Sequence, residues 1–299
     1  MSEGNIVALP TETVYGLGAN ALNEDAVLKI YDAKERPVFN PMIVHIFDQD
    51  ELKNYGEDIT DEVYKLAEKF SPGPITYIVK KKKIIPDIVT SGNDSVGLRI
   101  PAHKIFREVL RSSEVPIAAP SANRSGMISP TNAADVLKEL NGKINYILDG
   151  GKCEVGIEST VISFLNNEIR ILRHGFVTKE EIEKVIGKIL PGTGDKIISP
   201  GLLKSHYTPT TPFYISNNLK KIRDLNNPKT GILDLSKYKD LKEVALNLFS
   251  EMRRLDEEGF DMIIGEKVKD ADLGIAINDR LERASRGTAG VINGRILIA

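Results

Sequence analysis

A two-domain α/β fold follows from three features of the 299-residue chain. Short apolar runs alternate with segments of helical period, the signature of strands and helices in turn. The alternation breaks at a stretch rich in Pro, Gly, Ser and Thr, residues 190–211, and restarts after it. The length, at roughly 150 residues per domain, is enough for two cores.

The elements can be justified in order. Strand-like runs are Ile6–Leu9, Met42–Ile46, Ile75–Lys80, Val96–Ile100, Ile117–Ala119, Tyr146–Leu148, Glu158–Phe164 and Glu168–Arg173. The last two are adjacent, which predicts some antiparallel pairing. Asn23 is placed to cap a helix to Lys34 that turns Ala26, Val27, Ile30 and Ala33 to one face. Val63, Leu66, Ala67 and Phe70 have the i, i+3, i+4, i+7 spacing of a second helix. Thr178 and Glu181 form a capping box for a third, ending near Gly187. Beyond residue 211, Gly231–Leu235 and Met262–Ile264 read as strands, with helices over Leu241–Glu257 and Ile275–Arg286. Asn293-Gly294 marks a hairpin.

Composition excludes several function classes. Lys and Arg total 40 against 42 Asp and Glu, net −2, so the chain is no nucleic-acid binder working through bulk positive charge. One cysteine can form neither an internal disulfide nor a Cys-based zinc site, and the expected compartment is the reducing cytoplasm. The start, MSEGNIVALP, does not read as a signal peptide, and no apolar run nears the ~20 residues of a membrane helix.

Several motifs are weak. Gly16-Leu17-Gly18-Ala19-Asn20-Ala21 imitates a dinucleotide loop but lacks the acidic residue that should end the next strand. There is no GxxxxGK[ST], HExxH or GxSxG, and His45, His103, His174 and His206 lack metal-ligand spacing. Lys80–Lys83 reads first as a solvated strand end and second as an RNA contact. Cys153 reads as a small buried residue, since no base adjoins it.

Polar residues gathered at strand ends carry more weight, because open α/β sheets bind ligands there. Thr11-Glu12-Thr13 follows the first strand, and Lys34-x-Arg36 closes the first helix, with Asn40 and His45 flanking the next strand. Arg99 sits within the apolar VGLRIP, where a charge needs a partner: either a ligand anion or a local carboxylate. Ser121, Asn123 and Ser129 form a hydroxyl- and amide-rich loop, Glu158-Ser159-Thr160 opens a strand, and Arg173 ends one. Such cations with Ser and Asn donors suit a ligand bearing phosphate and carboxylate.

Taken together, LPTETVYGLGANAL, KERPVFNPMIVHI, FSPGPITYIVKK, VGLRIPAH, PIAAPSANRSGMISPTNAADV and ILDGGKCEVGIESTVI resemble the YrdC-like family. SPGLLKSHYTP and the second α/β segment resemble its long, two-domain L-threonylcarbamoyladenylate synthases. The resemblance implies a YrdC-like twisted mixed sheet with flanking helices (residues 1–189), a linker or lid (190–211) and a smaller Rossmann-like α/β domain (212–299). It implies that L-threonine, bicarbonate and ATP give the adenylate and pyrophosphate, Mg2+ coming with ATP and no metal held by the protein. A separate transferase complex would then modify tRNA, so strong nucleic-acid binding is not expected. The threonine contacts it implies are Thr13, His45, Arg99, the Ala119 backbone and Ser159. The nucleotide contacts are Arg36, Asn40, Ser95, Ser121, Ser129, Arg173 and Tyr207. Lys34, Arg36, Ser121 and Asn123 form a KxR…SxN catalytic set. Family members carry a helix ahead of the first strand, whereas this chain starts almost at it, and the second domain is short for the class. A carbamoyladenylate-type carbamoyl transferase and an RNA- or ribosome-associated module are the competing readings.

Overall fold

The computed structural model describes residues 1, 3–190 and 206–299; the rest of the expected lid, residues 191–205, lies outside the described residues. β1 (Val7–Leu9) turns back on β2 (Gly16–Asn20) in an antiparallel pair. The imitation dinucleotide loop is therefore itself a strand. Its glycines serve packing: a Cβ on Gly18 would stand 2.9 Å from Ile117 and 3.1 Å from Leu9. The Asn23 side chain accepts from the Ala26 N–H and opens α1 (Glu24–Lys34) as expected.

Next come β3 (Ile43–His45), short α2 (Leu52–Tyr55), β4 (Gly56–Glu57), α3 (Asp61–Phe70), β5 (Ile75–Lys81), short α4 (Asp87–Thr90) and β6 (Ser95–Arg99). α5 (Lys104–Ser113) and α6 (Ala133–Leu140) flank β7 (Ile117–Ala118) and are not among the helices read from the sequence. Each rests on a single buried i, i+4 pair, Phe106 with Leu110 and Val136 with Leu140. β8 (Thr160–Ser163) and β9 (Arg170–Arg173) pair antiparallel, as their adjacency predicts. α7 (Lys179–Ile186) opens on the Thr178/Glu181 capping box and ends at Gly187. The run Tyr146–Leu148 is not a strand. It makes one parallel bridge to β1, through Ala8 N to Tyr146 O and Leu148 N to Ala8 O.

Among the described residues, β1–β9 form one mixed sheet in the order β1-β2-β7-β3-β6-β5-β8-β9, with β4 on β5. The second domain has β10 (Phe213–Ile215), α8 (Leu219–Asp224), β11 (Thr230–Leu233), α9 (Leu241–Glu257), β12 (Met262–Gly265) and α10 (Leu273–Ala284). Its parallel sheet runs β10-β12-β11, and β13 (Ala289–Ile292) and β14 (Arg295–Ile298) make the hairpin at Asn293-Gly294.

The two sheets share an apolar core. Val14, Ile128, Val155 and Ile157 of the first domain pack with Phe213, Leu248, Phe249 and Ile277 of the second. Arg253 of α9 reinforces the contact, reaching Glu139 at 3.0 Å. Where this turn meets α9, Gly156 has φ +83°, and a Cβ there would lie 2.5 Å from both Ala245 O and Leu246 Cα. Gly156→Ala is therefore expected to cost roughly 2–4 kcal/mol, from left-handed strain plus a clash with backbone. Thermal or urea unfolding measures this; an unchanged midpoint would contradict the packing of α9 on this turn.

Candidate active site

The cleft lies at the end of the large sheet where β3 and β6 run parallel with His45 opposite Arg99. The Arg99 side chain, only 5% exposed, sends Nη2 to Glu12 Oε1 at 2.6 Å and to Thr13 Oγ1 at 2.9 Å. Glu12 also accepts the Ala102 N–H through its second oxygen at 3.1 Å. The charge on this apolar strand thus has a local carboxylate partner, yet Arg99 Nε has no partner among the described residues. His45 Nδ1 lies 3.3 Å from Ile117 O, a group that only accepts, so that nitrogen carries the proton. Burial, then the nearby Arg99, lowers His45 to about 3, and the ring is neutral at physiological pH. Ala119 lines the same end. Ser159 is fully buried behind the lining, its hydroxyl shared with Thr76 at 2.8 Å.

A cationic end sits before β3. Arg36 donates Nε to Asn40 O at 3.1 Å and Nη2 to Pro41 O at 2.9 Å. Lys34 is buried and sends Nζ to Ser121 O at 2.5 Å and to Asn123 O, joining the KxR and SxN segments directly. Burial, then Arg36, holds the Lys34 ammonium well below its usual range. Burial also lowers Arg36 to about 10, which leaves it protonated at neutral pH. Among the described residues, both Asn40 amide atoms, Asn123 Oδ1 and Tyr207 OH are buried without partners. Of these residues Tyr207 lines the cleft, and the two asparagines adjoin its lining through Arg36 and Lys34, so a ligand there is a natural partner for them.

Thr13, Arg36, His45, Arg99, Ala119, Ser121, Arg173 and Tyr207 all line the cleft. Arg173 also clasps Ser159, donating to its carbonyl at 2.9 Å and its hydroxyl at 3.1 Å. Lys34, Asn123, Ser129 and Ser159 support the lining from behind. Ser95 is not brought to it: it starts β6, four residues or about 13 Å of strand from Arg99, and pairs in register with Lys80.

Glu12 and Glu158 stand in the strand-end polar segments and His206 in the linker, but no specific role follows from the sequence for any of the three, and nothing in it marks Arg280. Glu158 lines the cleft and accepts from Ser129 Oγ at 2.6 Å. Burial opposes its charge, but Arg280 and Arg173 outweigh that and lower its pKa. His206 also lines the cleft and is lowered to about 3, by burial first and then by Arg36, Lys34 and Arg173. The weak candidates settle simply. Burial pushes the Cys153 thiol up to about 12, so it is no nucleophile. Lys80 pairs with Glu57 at 2.7 Å and Lys81 with Asp87, as at a neutralised strand end. No helix of the described residues is long and apolar enough to cross a membrane.

Comparison with known proteins matches this architecture domain by domain. Residues 1–175 match a family model described as "Telomere recombination", which covers the Sua5, YciO and YrdC class. Residues 177–286 match the model for the C-terminal domain of threonylcarbamoyl-AMP synthase. Threonylcarbamoyl-AMP synthases of Pyrococcus abyssi and Bacillus subtilis are each 40% identical, over 95% and 96% of this chain and 91% of their own lengths. The crystal structure of P. abyssi Sua5 complexed with L-threonine aligns with a TM-score of 0.89 at 39% identity, covering 95% of this chain and 91% of that one. The chain belongs to the two-domain threonylcarbamoyl-AMP synthase family.

Proposed function

We propose that this cleft converts L-threonine, bicarbonate and ATP to L-threonylcarbamoyladenylate, water and pyrophosphate. The observation that carries the reading is the charge layout along β3. Arg36, on the Asn40 and Pro41 carbonyls just before β3, and Arg99, level with His45 at its end, flank this short strand from opposite ends. That placement suits a phosphate chain at one end and an amino-acid carboxylate at the other.

Arg99, its Nη2 already steadied by Glu12 and Thr13, would take the threonine carboxylate, with Thr13, His45 and Ser159 near its hydroxyl and amine. A site built to bond that hydroxyl rejects valine, since the loss leaves buried polar groups unpaired. The threonine amine adds to bicarbonate carbon with loss of water. A carbamate oxygen then attacks the α-phosphorus, and the bond to the pyrophosphate oxygen breaks. Charge grows on phosphate oxygens, where Lys34, Arg36, Arg173 and the Ser121–Asn123 loop supply fixed cations and donors. Asn40, Ser129 and Tyr207 would complete nucleotide binding. Glu158 in the cleft wall and Glu12 beside it are both engaged by arginines, so Mg2+ would be carried by ATP phosphates and water. Residues 190–211 would cover the labile carbamate between the 1–189 and 212–299 domains. The product would pass, in the cytoplasm, to a separate transferase complex acting on tRNA.

The test is pyrophosphate release from ATP and bicarbonate, with and without L-threonine, and mass detection of the adenylate. Release that does not depend on threonine overturns the reading and favours carbamoyladenylate chemistry.

A further inference from the structure

The roles above leave unused one buried group of the second domain that stands directly behind the cleft wall, against Glu158 and Tyr207. Arg280 of α10 is the largest of the fully buried side chains. A position that needed only packing would carry Leu or Met, because a buried guanidinium must be compensated. Part of the compensation is local, Nη1 reaching Ala276 O and Asp279 Oδ2, each at 3.3 Å, and the rest comes from the other domain. Nε donates to Glu158 Oε2 at 3.2 Å and Nη1 to His174 O at 2.5 Å. Arg280 Cζ stands 5.7 Å from the Tyr207 ring centroid, close enough for a cation–π contact, and Tyr207 stacks on Phe249 of α9 at 5.3 Å. Nearly one turn further on, Arg283 O accepts the His206 N–H at 3.1 Å. The same helix therefore touches the cleft's Glu158 and both residues, His206 and Tyr207, that re-enter it from the linker.

Resting on the synthase reading, we propose that Arg280 is a positioning residue for adenylation: it fixes the Glu158 carboxylate in the cleft wall and seats Tyr207 at the nucleotide end. The second domain thereby completes the active site. Glu158 faces Arg280, Arg173, His206 and Tyr207, with Ser129 on its other oxygen. Without Arg280 the carboxylate loses its largest opposing charge, and it turns toward Arg173 or takes a proton. Both outcomes disturb Arg173 and the phosphate end. Arg99 and Thr13 bond elsewhere, to Glu12 and Thr11, and are left as they were; Ser159, which Arg173 clasps, keeps its own bond to Thr76 at 2.8 Å, so the threonine end feels the change far less than the phosphate end.

The experiment compares wild type, R280M, R280K, E158Q and the double variant R280M/E158Q in threonine-dependent pyrophosphate release, matched for folded fraction. R280M is expected to lose 10- to 100-fold in kcat/KM for ATP, with the KM for threonine within threefold, by analogy with losing a charged hydrogen bond. Its acid limb of activity against pH moves upward, since burial now dominates Glu158 and the ionised form is the active one. R280K, keeping the charge but not the fork, recovers part of the ATP effect and restores the acid limb. The double variant is no worse than R280M, because both act through one contact. Wild-type ATP kinetics in R280M, or equal losses for both substrates with no change in the pH profile, overturn the proposal. Should R280M not fold, wild-type ATP kinetics in R280K overturn it. Failure of the wild type itself to release pyrophosphate with threonine overturns the synthase reading instead.

Discussion

Arg99→Ala is expected to raise the KM for L-threonine by about 10- to 100-fold and to lower stability as well. The first effect is the loss of a charged hydrogen bond to the substrate carboxylate, worth about 1.5–3 kcal/mol. The second comes from Glu12. Its carboxylate is buried against Arg99 at 2.6 Å, and removing one partner of a buried pair costs roughly 3–5 kcal/mol. The two effects are separable. Adding Glu12→Gln to Arg99→Ala removes the uncompensated charge and should recover most of the lost stability, while threonine binding stays weak. Steady-state kinetics with each substrate varied, beside thermal unfolding of both variants, reads this out. An unchanged threonine KM in Arg99→Ala would remove Arg99 from the substrate end. A double variant no more stable than the single one would show that the Glu12 charge is not what destabilises it.

Arg99 also shows where sequence reasoning stops. A cation on an apolar strand signals that something compensates it, but the partner, Glu12, lies 87 residues away. Arg280 is the stronger case: it meets Glu158 across 122 residues and from a different domain, so no local pattern could have marked it. By contrast, the polar residues that the chain places at strand ends are brought together by the parallel β3–β6 register, which sets His45 beside Arg99. Ser95 belongs to the same strand as Arg99 but starts it, and the strand's length keeps it from the cleft lining. At the level of fold, β3, β5, β6 and β8 are legible because buried strands are continuous apolar runs. β2 is not, because its glycines answer to close strand packing and imitate a phosphate loop. α5 and α6 are legible but go unread: Ala133, Val136, Leu137 and Leu140 keep the i, i+3, i+4, i+7 spacing, and Ile105, Phe106, Val109 and Leu110 gather on one face of α5.

The opposite substrate dependence is expected at the other end of β3. Arg36→Ala should lower kcat/KM for ATP by about 10²- to 10³-fold while shifting the threonine KM by less than threefold. A fixed cation aimed at charge that develops during phosphoryl displacement contributes about 2.7–4 kcal/mol, more than a surface contact, because no solvent has to reorganise. Arg36 is fixed in this way: the Asn40 and Pro41 carbonyls hold its fork, and burial leaves it protonated at neutral pH. The cost to stability should be small or reversed. Arg36 and Lys34 are like charges, and removing Arg36 relieves part of what holds the Lys34 ammonium below its usual range. Lys34 keeps its own anchors on Ser121 and Asn123, so it cannot reach across to replace the missing head. Arg36→Lys should therefore restore only part of the rate, because a point charge does not reproduce a forked contact with phosphate. Initial-rate pyrophosphate release with ATP varied at saturating threonine, then the reverse, gives both constants. Equal losses in both would mean that the two ends of the cleft are not separately occupied, and the assignment of phosphate to Arg36 and carboxylate to Arg99 would fall together.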